Sequence, residues 1–300
     1  MTNSHLIFDR KLIAARARRV RALGPATFLM ERAAGDLVER LAAVLREFPL
    51  ALDLGTPNDA VRNLLKGQRA IGSIVAANAS AESLASHGGP KVVADEEILP
   101  FGNASFELIV SVLALQAVND LPGTLIQIRR ALKPDGLFMG AVFGGNTLTE
   151  LRESFFSAEE EIEGGASPRI APFLEVREAG GLLQRAGFAL PVVDVDNITV
   201  RYASPFSLMR DLRAMGATNP LIERRRKPLR RATLVRAAEI YAEKFGEADG
   251  KVRATFDIVW LSGWAPHESQ QKPLAPGSAT ARLADALGTS EIPTGEKAGG

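Results

Sequence analysis

The sequence predicts a single α/β domain, built on a mostly parallel seven-stranded sheet with helices on both faces. Three observations predict it. Seven apolar runs bounded by turn signals recur along the chain, most separated by segments of helical character. The first run, Leu50-Ala51-Leu52-Asp53-Leu54-Gly55, ends acid, apolar, glycine just before a turn and a helix. With 300 residues, 46% of them hydrophobic and 24% charged, the chain can bury a large core.

The first 23 residues carry six basic side chains against Asp9 alone. That composition reads either as an organelle transit peptide or as a basic amphipathic helix over Asp9 to Leu23 that caps the domain. Leu37, Leu41, Val44, Leu45 and Phe48 recur at helical spacing and predict a long amphipathic helix before the first strand. Strands are expected at Leu50–Leu54, Arg69–Val75, Lys91–Ala94, Phe106–Ser111 and Gly136–Phe143, with helices at Asn58–Lys66 and Pro122–Leu132. The second of these helices is stopped by Lys133-Pro134-Asp135-Gly136. Further on come a helix from Pro172 to Ala186, a strand over Val192–Tyr202, helices near Pro205–Met215 and Thr233–Phe245, and a last strand, Val252–Leu261. These elements divide the chain into an N-terminal helical cap (1–48), a core (49–200), a helical lid or insert (201–246), a closing strand and segment (247–287) and a tail (288–300).

Composition removes several chemistries. The chain has no cysteine, so disulfides, thiolate metal sites and thiol nucleophiles are excluded. Its three histidines, His5, His87 and His267, show no facial-triad spacing with a carboxylate, and no metal is expected. Net charge is +1, so no whole-molecule field draws DNA. The longest central apolar stretch, Leu108 to Val118, falls short of the roughly 20 residues of a membrane-spanning helix.

In an alternating sheet, ligands bind at the carboxyl ends of the strands. Gly55 lets the backbone approach a ligand there, while Asp53 precedes it and Thr56-Pro57-Asn58-Asp59 stands where further glycines are common. The alternative is an ordinary strand-to-helix turn with Asp59 starting the helix. Asn78 ends the second strand, where nucleotide sites place a ribose acceptor; its other role is that of a turn residue. Asp95 and Glu96 follow the third strand in Ala94-Asp95-Glu96-Glu97-Ile98-Leu99-Pro100-Phe101, and Ser111 and Gln116 lie at and beyond the end of the fourth. The order and spacing of these pieces resemble the Rossmann-like fold of class I S-adenosylmethionine-dependent methyltransferases. That resemblance implies S-adenosylmethionine held by Asp53, Gly55, Asn78, Asp95 and Glu96, with Ser111 and Gln116 nearest the reacting centre. Methyl transfer needs an aligned nucleophile more than an acid–base pair, so no catalytic residue is assigned.

Other segments resemble the methyltransferase-like assembly factors of respiratory complex I, of the arginine-hydroxylase type. They are Ile7-Phe8-Asp9-Arg10, Val118-Asn119-Asp120-Leu121-Pro122-Gly123, Ser207 to Gly216, Ala254-Thr255-Phe256, Gly263 to His267 and Ser269 to Leu274. This likeness implies a protein substrate, a complex I subunit, with the modified residue an arginine. It also implies a bacterial cytoplasmic protein, peripheral at the inner membrane, or a matrix protein in a eukaryote. It departs at Gln116-Ala117, where similar proteins carry an aromatic or histidine pair. A more distant likeness, to biotin-pathway methyltransferases acting on malonyl-carrier protein, is expected over the nucleotide half only. The rivals are thus a conventional methyltransferase and a non-catalytic assembly scaffold.

Three features remain. From Arg210 to Arg236 there are nine basic residues and two acids, a solvated face or a docking surface for an acidic partner or anionic membrane. Glu159-Glu160-Glu161-Ile162-Glu163 is either a receptor for a basic segment or a solvated helix end. His267 is expected to hold a loop by hydrogen bonds, and Trp260 and Trp264 to pack.

Overall fold

The computed structural model describes residues 6–271 and 283–290; His5 and the Lys272-Pro273-Leu274 end of one resemblance segment lie outside them. Residues 1–266 form one compact unit and 267–300 a second, whose described part holds one short helix, Leu283–Leu287.

In the first unit the strands are β1 Phe48–Leu54, β2 Ile71–Asn78, β3 Lys91–Val93, β4 Phe106–Val112, β5 Leu132–Phe143, β6 Ala189–Tyr202 and β7 Val252–Trp264. They form one seven-stranded sheet in the order β3-β2-β1-β4-β5-β7-β6. The pairs from β3 to β5 are parallel, while β7 runs antiparallel to β5 and β6. The expected strands therefore all form, and the order reverses between β1 and β4, where a crevice opens at the strand ends.

Alternation along the strands sorts two cores. Leu108, Val110 and Val112 of β4, Leu137, Met139 and Ala141 of β5, and Ala254, Phe256, Ile258 and Trp260 of β7 face one layer. Ile109, Phe138, Val142, Val259 and Leu261 face the other. The first layer is made by α2 Phe28–Ala42, α3 Ala60–Leu65, α5 Thr149–Glu163, α7 Pro205–Ala214 and α8 Arg231–Phe245. The second is made by α4 Leu121–Ala131 and α6 Val176–Arg185. α1, Arg10–Leu23, starts at Asp9, whose carboxylate accepts from the Leu12 amide at 3.0 Å. The basic N-terminal segment thus folds as a helix of this unit.

Two elements differ from expectation. α2 stops at Ala42, Leu45 is 97% exposed and Phe48 opens β1 beside Ile71. Pro49 explains the extended backbone of Phe48, because the residue before a proline is pushed out of the helical region. Of α5 the sequence suggests only a helix end at Glu159–Glu163, although Leu151, Phe155 and Ala158 lie on one helical face and are buried. It packs against α8, whose Ala237, Ile240 and Tyr241 complete the first core.

Candidate functional site

A cavity of about 1220 Å³ opens at the reversal point of the sheet. That exceeds the roughly 300–1,000 Å³ of most small-molecule pockets. Its base is the ends of β1, β2 and β4 and the turns beyond them, with Gly55, Asn78, Asp95, Glu96 and Gln116 among the lining residues. α1 covers one side with Ile13, Ala14 and Ala17; Leu151, Phe155, Met209 and Phe206 wall the other. Arg210 and Arg213 of α7 also face it.

An N-terminal arm closes the mouth. Phe8 bridges Leu221 in antiparallel fashion, the Asp9 amide donates to the Pro220 carbonyl at 2.8 Å, and Ile222 donates to Ile7 at 2.9 Å. Asn119 accepts from the amides of Ile7 and Phe8, both at 2.8 Å, and Arg224 pairs with Asp9 at 3.1 Å. The arm delivers Arg10 to the end of β3, where its guanidinium meets Asp95 at 2.8 Å and also Glu96. Burial lowers the pKa of Arg10, but the carboxylates of Glu96 and Asp95 outweigh this and raise it.

The glycine turn is tied differently. Asp53 is fully buried, accepts from the Thr56 hydroxyl and pairs with Arg62 at 2.5 Å. Arg62 also binds Asp59, the residue that starts α3, and Ser86 donates to Asp59. Burial pushes the Asp53 carboxyl up, against the opposing pull of Arg62 and Thr56. The Asn78 amide donates to the Gly55 carbonyl at 2.9 Å and its oxygen accepts from Ser80, so both ends serve the turn. Ser111 is fully buried, donates to the Leu54 carbonyl at 2.7 Å and does not line the cavity. Gln116 does line it; its amide donates to the Leu113 carbonyl while its buried oxygen has no hydrogen-bond partner among the described residues.

Of the expected site residues the structure therefore gathers Gly55, Asn78, Asp95, Glu96 and Gln116 around the cavity and turns Asp53 and Ser111 into the framework. Arg10, Asn119 and Arg62 were not foreseen as site residues. Arg10 and Asn119 carried a signal only as parts of the segments that mark the resemblance, because nothing local pairs residue 10 with a residue 85 positions away.

The space over the turn is crowded by neighbouring side chains. Gly55 has φ of +75°, and a Cβ built there would lie 2.9 Å from Glu96 Cγ and Oε1 and from Ala114 Cβ. Glu96 thus crowds the space directly over the glycine, and Asp95 and Glu96 are both engaged by Arg10.

The charged runs are also accounted for. Glu159 is buried and accepts from Ser167 and Arg169, Glu163 pairs with Arg225 and Thr233, and Glu161 pairs with Arg236. Glu159, Glu161 and Glu163 of the acidic run are therefore paired within the chain. The same pairings withdraw Arg224, Arg225 and Arg236 from the basic docking face. Trp260 is buried, donates to Asp196 at 2.8 Å and stacks under Arg40, as a packing residue should. In the second unit His267 is exposed and bonds Ser269 at 2.7 Å. No helix among the described residues is long and apolar enough to cross a membrane, and no group of three or more metal-ligating side chains occurs among them.

Comparison with known proteins places these features. A methyltransferase-domain family pattern matches residues 52–140. The chain is 43% identical to the human mitochondrial arginine-hydroxylase NDUFAF5, over 90% of this chain and 79% of that protein. It is 42% identical to the zebrafish (Danio rerio) protein, over 86% and 81%. Malonyl-[acyl-carrier protein] O-methyltransferase of Halorhodospira halophila is 34% identical over 81% of this chain and 83% of that one. This likeness extends well past the nucleotide half to which it was expected to be confined. Among solved structures, the YcgJ protein of Bacillus subtilis matches with a TM-score of 0.52 at 13% identity, covering 79% of this chain and 99% of that one, which supports the fold.

Proposed function

The chain belongs to the methyltransferase-domain family of the arginine-hydroxylase NDUFAF5, and we propose that it acts on an arginine side chain of a protein partner during assembly of respiratory complex I. One observation carries this reading. Two of the segments that mark the resemblance, the arm with Phe8 and Arg10 and the stretch from Ser207 to Gly216, come from distant parts of the chain and line one cavity, and a third supplies Asn119, which holds the arm. A general methyltransferase needs only the strand ends; this chain spends its arm, its β4 turn and α7 on enclosing the space beyond them.

In this reading Asp95, Glu96 and Gln116 face the reactants, while Asp53, Asn78 and Ser111 hold the β1 and β4 ends in place. Gly55 allows the close approach between the turn and Glu96. The apolar wall of Ile13, Met209 and Phe206 excludes water from the bound side chain.

The test compares complex I subunits from cells with and without the gene by peptide mass spectrometry. The expected result is one arginine that carries an additional oxygen atom only when the gene is present. A methyl group in place of the oxygen would make the protein an arginine methyltransferase. An unmodified subunit with stalled assembly would make it a scaffold. Calorimetry with S-adenosylmethionine separates the same cases from the cofactor side.

A further inference from the structure

The face of α7 that lines the cavity carries Phe206, Met209, Arg210 and Arg213, spaced so that one side of the helix presents all four to the same space. Its two arginines differ from the other arginines of the cavity wall. Arg10 pairs with Asp95 and Glu96, Arg169 is held by the buried carboxylate of Glu159 and stacks over the Phe155 ring, and Arg21 donates to Ser83. Arg210 and Arg213 have neither an ion pair nor a hydrogen bond among the described residues. They lie three residues apart on one helix face, where like charges repel. A helix C-terminus favours a cation, which accounts for Arg213 in the last turn but not for Arg210 near the middle. Asp211 between them does not line the cavity, and the acids that do, Asp59, Glu82, Asp95 and Glu96, follow β1, β2 and β3. Phe206 on the same face is 46% exposed. An exposed aromatic, a methionine and two unengaged arginines are the composition of a protein interface rather than of a solvated helix face.

We propose that Arg210 and Arg213 are the specificity subsite for the partner polypeptide, and that they clamp the carboxylate of an aspartate or glutamate close in sequence to the target arginine. The proposal rests on the arginine reading above. A target guanidinium that enters a cavity walled by two unpaired guanidiniums is repelled by them, so a strongly basic segment is rejected. A carboxylate carried on the same segment reverses the sign. It forms charge-assisted bonds with one or both planar forks and offsets their mutual repulsion. The occupant is a polypeptide rather than a lipid surface, since side chains that line a cavity meet what enters it and a planar bilayer does not. Nor is it a lone small acid. A single exposed arginine–carboxylate contact changes affinity by only about fivefold, so it selects among segments that Phe206, Met209 and the rest of the wall already hold.

The test is fluorescence anisotropy of the full chain with labelled peptide libraries. Each library has arginine at the centre, one neighbour within four residues of it fixed as aspartate, asparagine or lysine, and degenerate positions elsewhere. At one or more positions wild type should bind the aspartate library about fivefold more tightly than the asparagine library, and the lysine library least. The Arg210→Gln/Arg213→Gln double variant should lose the aspartate preference and bind the asparagine library at least as tightly as wild type does, which a misfolded variant would not. Arg210→Glu/Arg213→Glu should turn the preference over to lysine. Equal binding of the three libraries at every position, an aspartate preference that survives in the double glutamine variant, or no binding of any library overturns the proposal. So does displacement of the aspartate peptides by N-acetyl-aspartate amide at the concentration at which an unlabelled aspartate library acts, which would make the pair a site for a small acid. Libraries with glutamine in place of the central arginine separate this proposal from the reading it rests on. An aspartate preference with no advantage for arginine keeps the subsite and removes the arginine reading; an advantage for arginine with no aspartate preference does the reverse.

Discussion

Two clusters in this molecule have the same chemistry, one arginine between two carboxylates, and opposite settings. Arg62 lies between Asp53 and Asp59 behind the glycine turn, with side chains 1%, 0% and 24% exposed. Thr56 and Ser86 add further bonds to its two carboxylates. Arg10 lies between Asp95 and Glu96 at the cavity wall, brought there by an arm, and Glu96 has no second partner among the described residues. The contrast teaches that an ion pair is framework when its members are locked by additional bonds and its arginine is sealed from solvent. A pair is locked less firmly where one carboxylate depends on a single cation at a cavity wall.

The largest effect should come from breaking the sealed cluster. Arg62→Ala strands Asp53 as an uncompensated buried charge and should cost about 3–5 kcal/mol in chemical denaturation. Gly55→Ala comes next, at about 2 kcal/mol, because φ of +75° disfavours an L side chain and the new Cβ meets Ala114. Arg10→Gln should cost only about 1 kcal/mol, since water enters the cavity to solvate Glu96. If Arg10→Gln proved as destabilising as Arg62→Ala, the distinction between the two clusters would collapse.

How much of this was legible in the sequence follows from the range of each interaction. All seven strands could be read because alternation and turn residues are local signals, and Gly55, Asn78, Asp95 and Gln116 could be placed because strand ends converge in a parallel sheet. The direction of Ser111 could not, because the pleat decides which face it takes and its bond to the Leu54 carbonyl arises from an adjacent strand 57 residues away. The acidic run looked open because its partners, Arg225 and Arg236, follow it at long range, and α5 hid behind that run of charge. Arg10 was visible as part of a shared segment and invisible as a partner of Glu96, since only the tertiary fold brings the arm to β3.

The smallest effect sharpens the comparison from inside the sealed cluster. Burial alone would raise the pKa of Asp59, but the Ser86 hydroxyl and the Arg62 guanidinium outweigh it and hold the carboxyl below its ordinary value of 3.8. A carboxylate depressed in the folded state contributes stability above its unfolded pKa and loses it as pH falls through the folded value. Asp59→Asn should therefore cost about 0.5–1 kcal/mol at neutral pH. The gap to wild type should stay constant down to about pH 4 and close below it. Denaturation curves of the two proteins across that range check this. A gap that closes instead near neutrality would mean that Asp59 is not held by Arg62, and that the cluster is no more locked than the pair at the cavity wall.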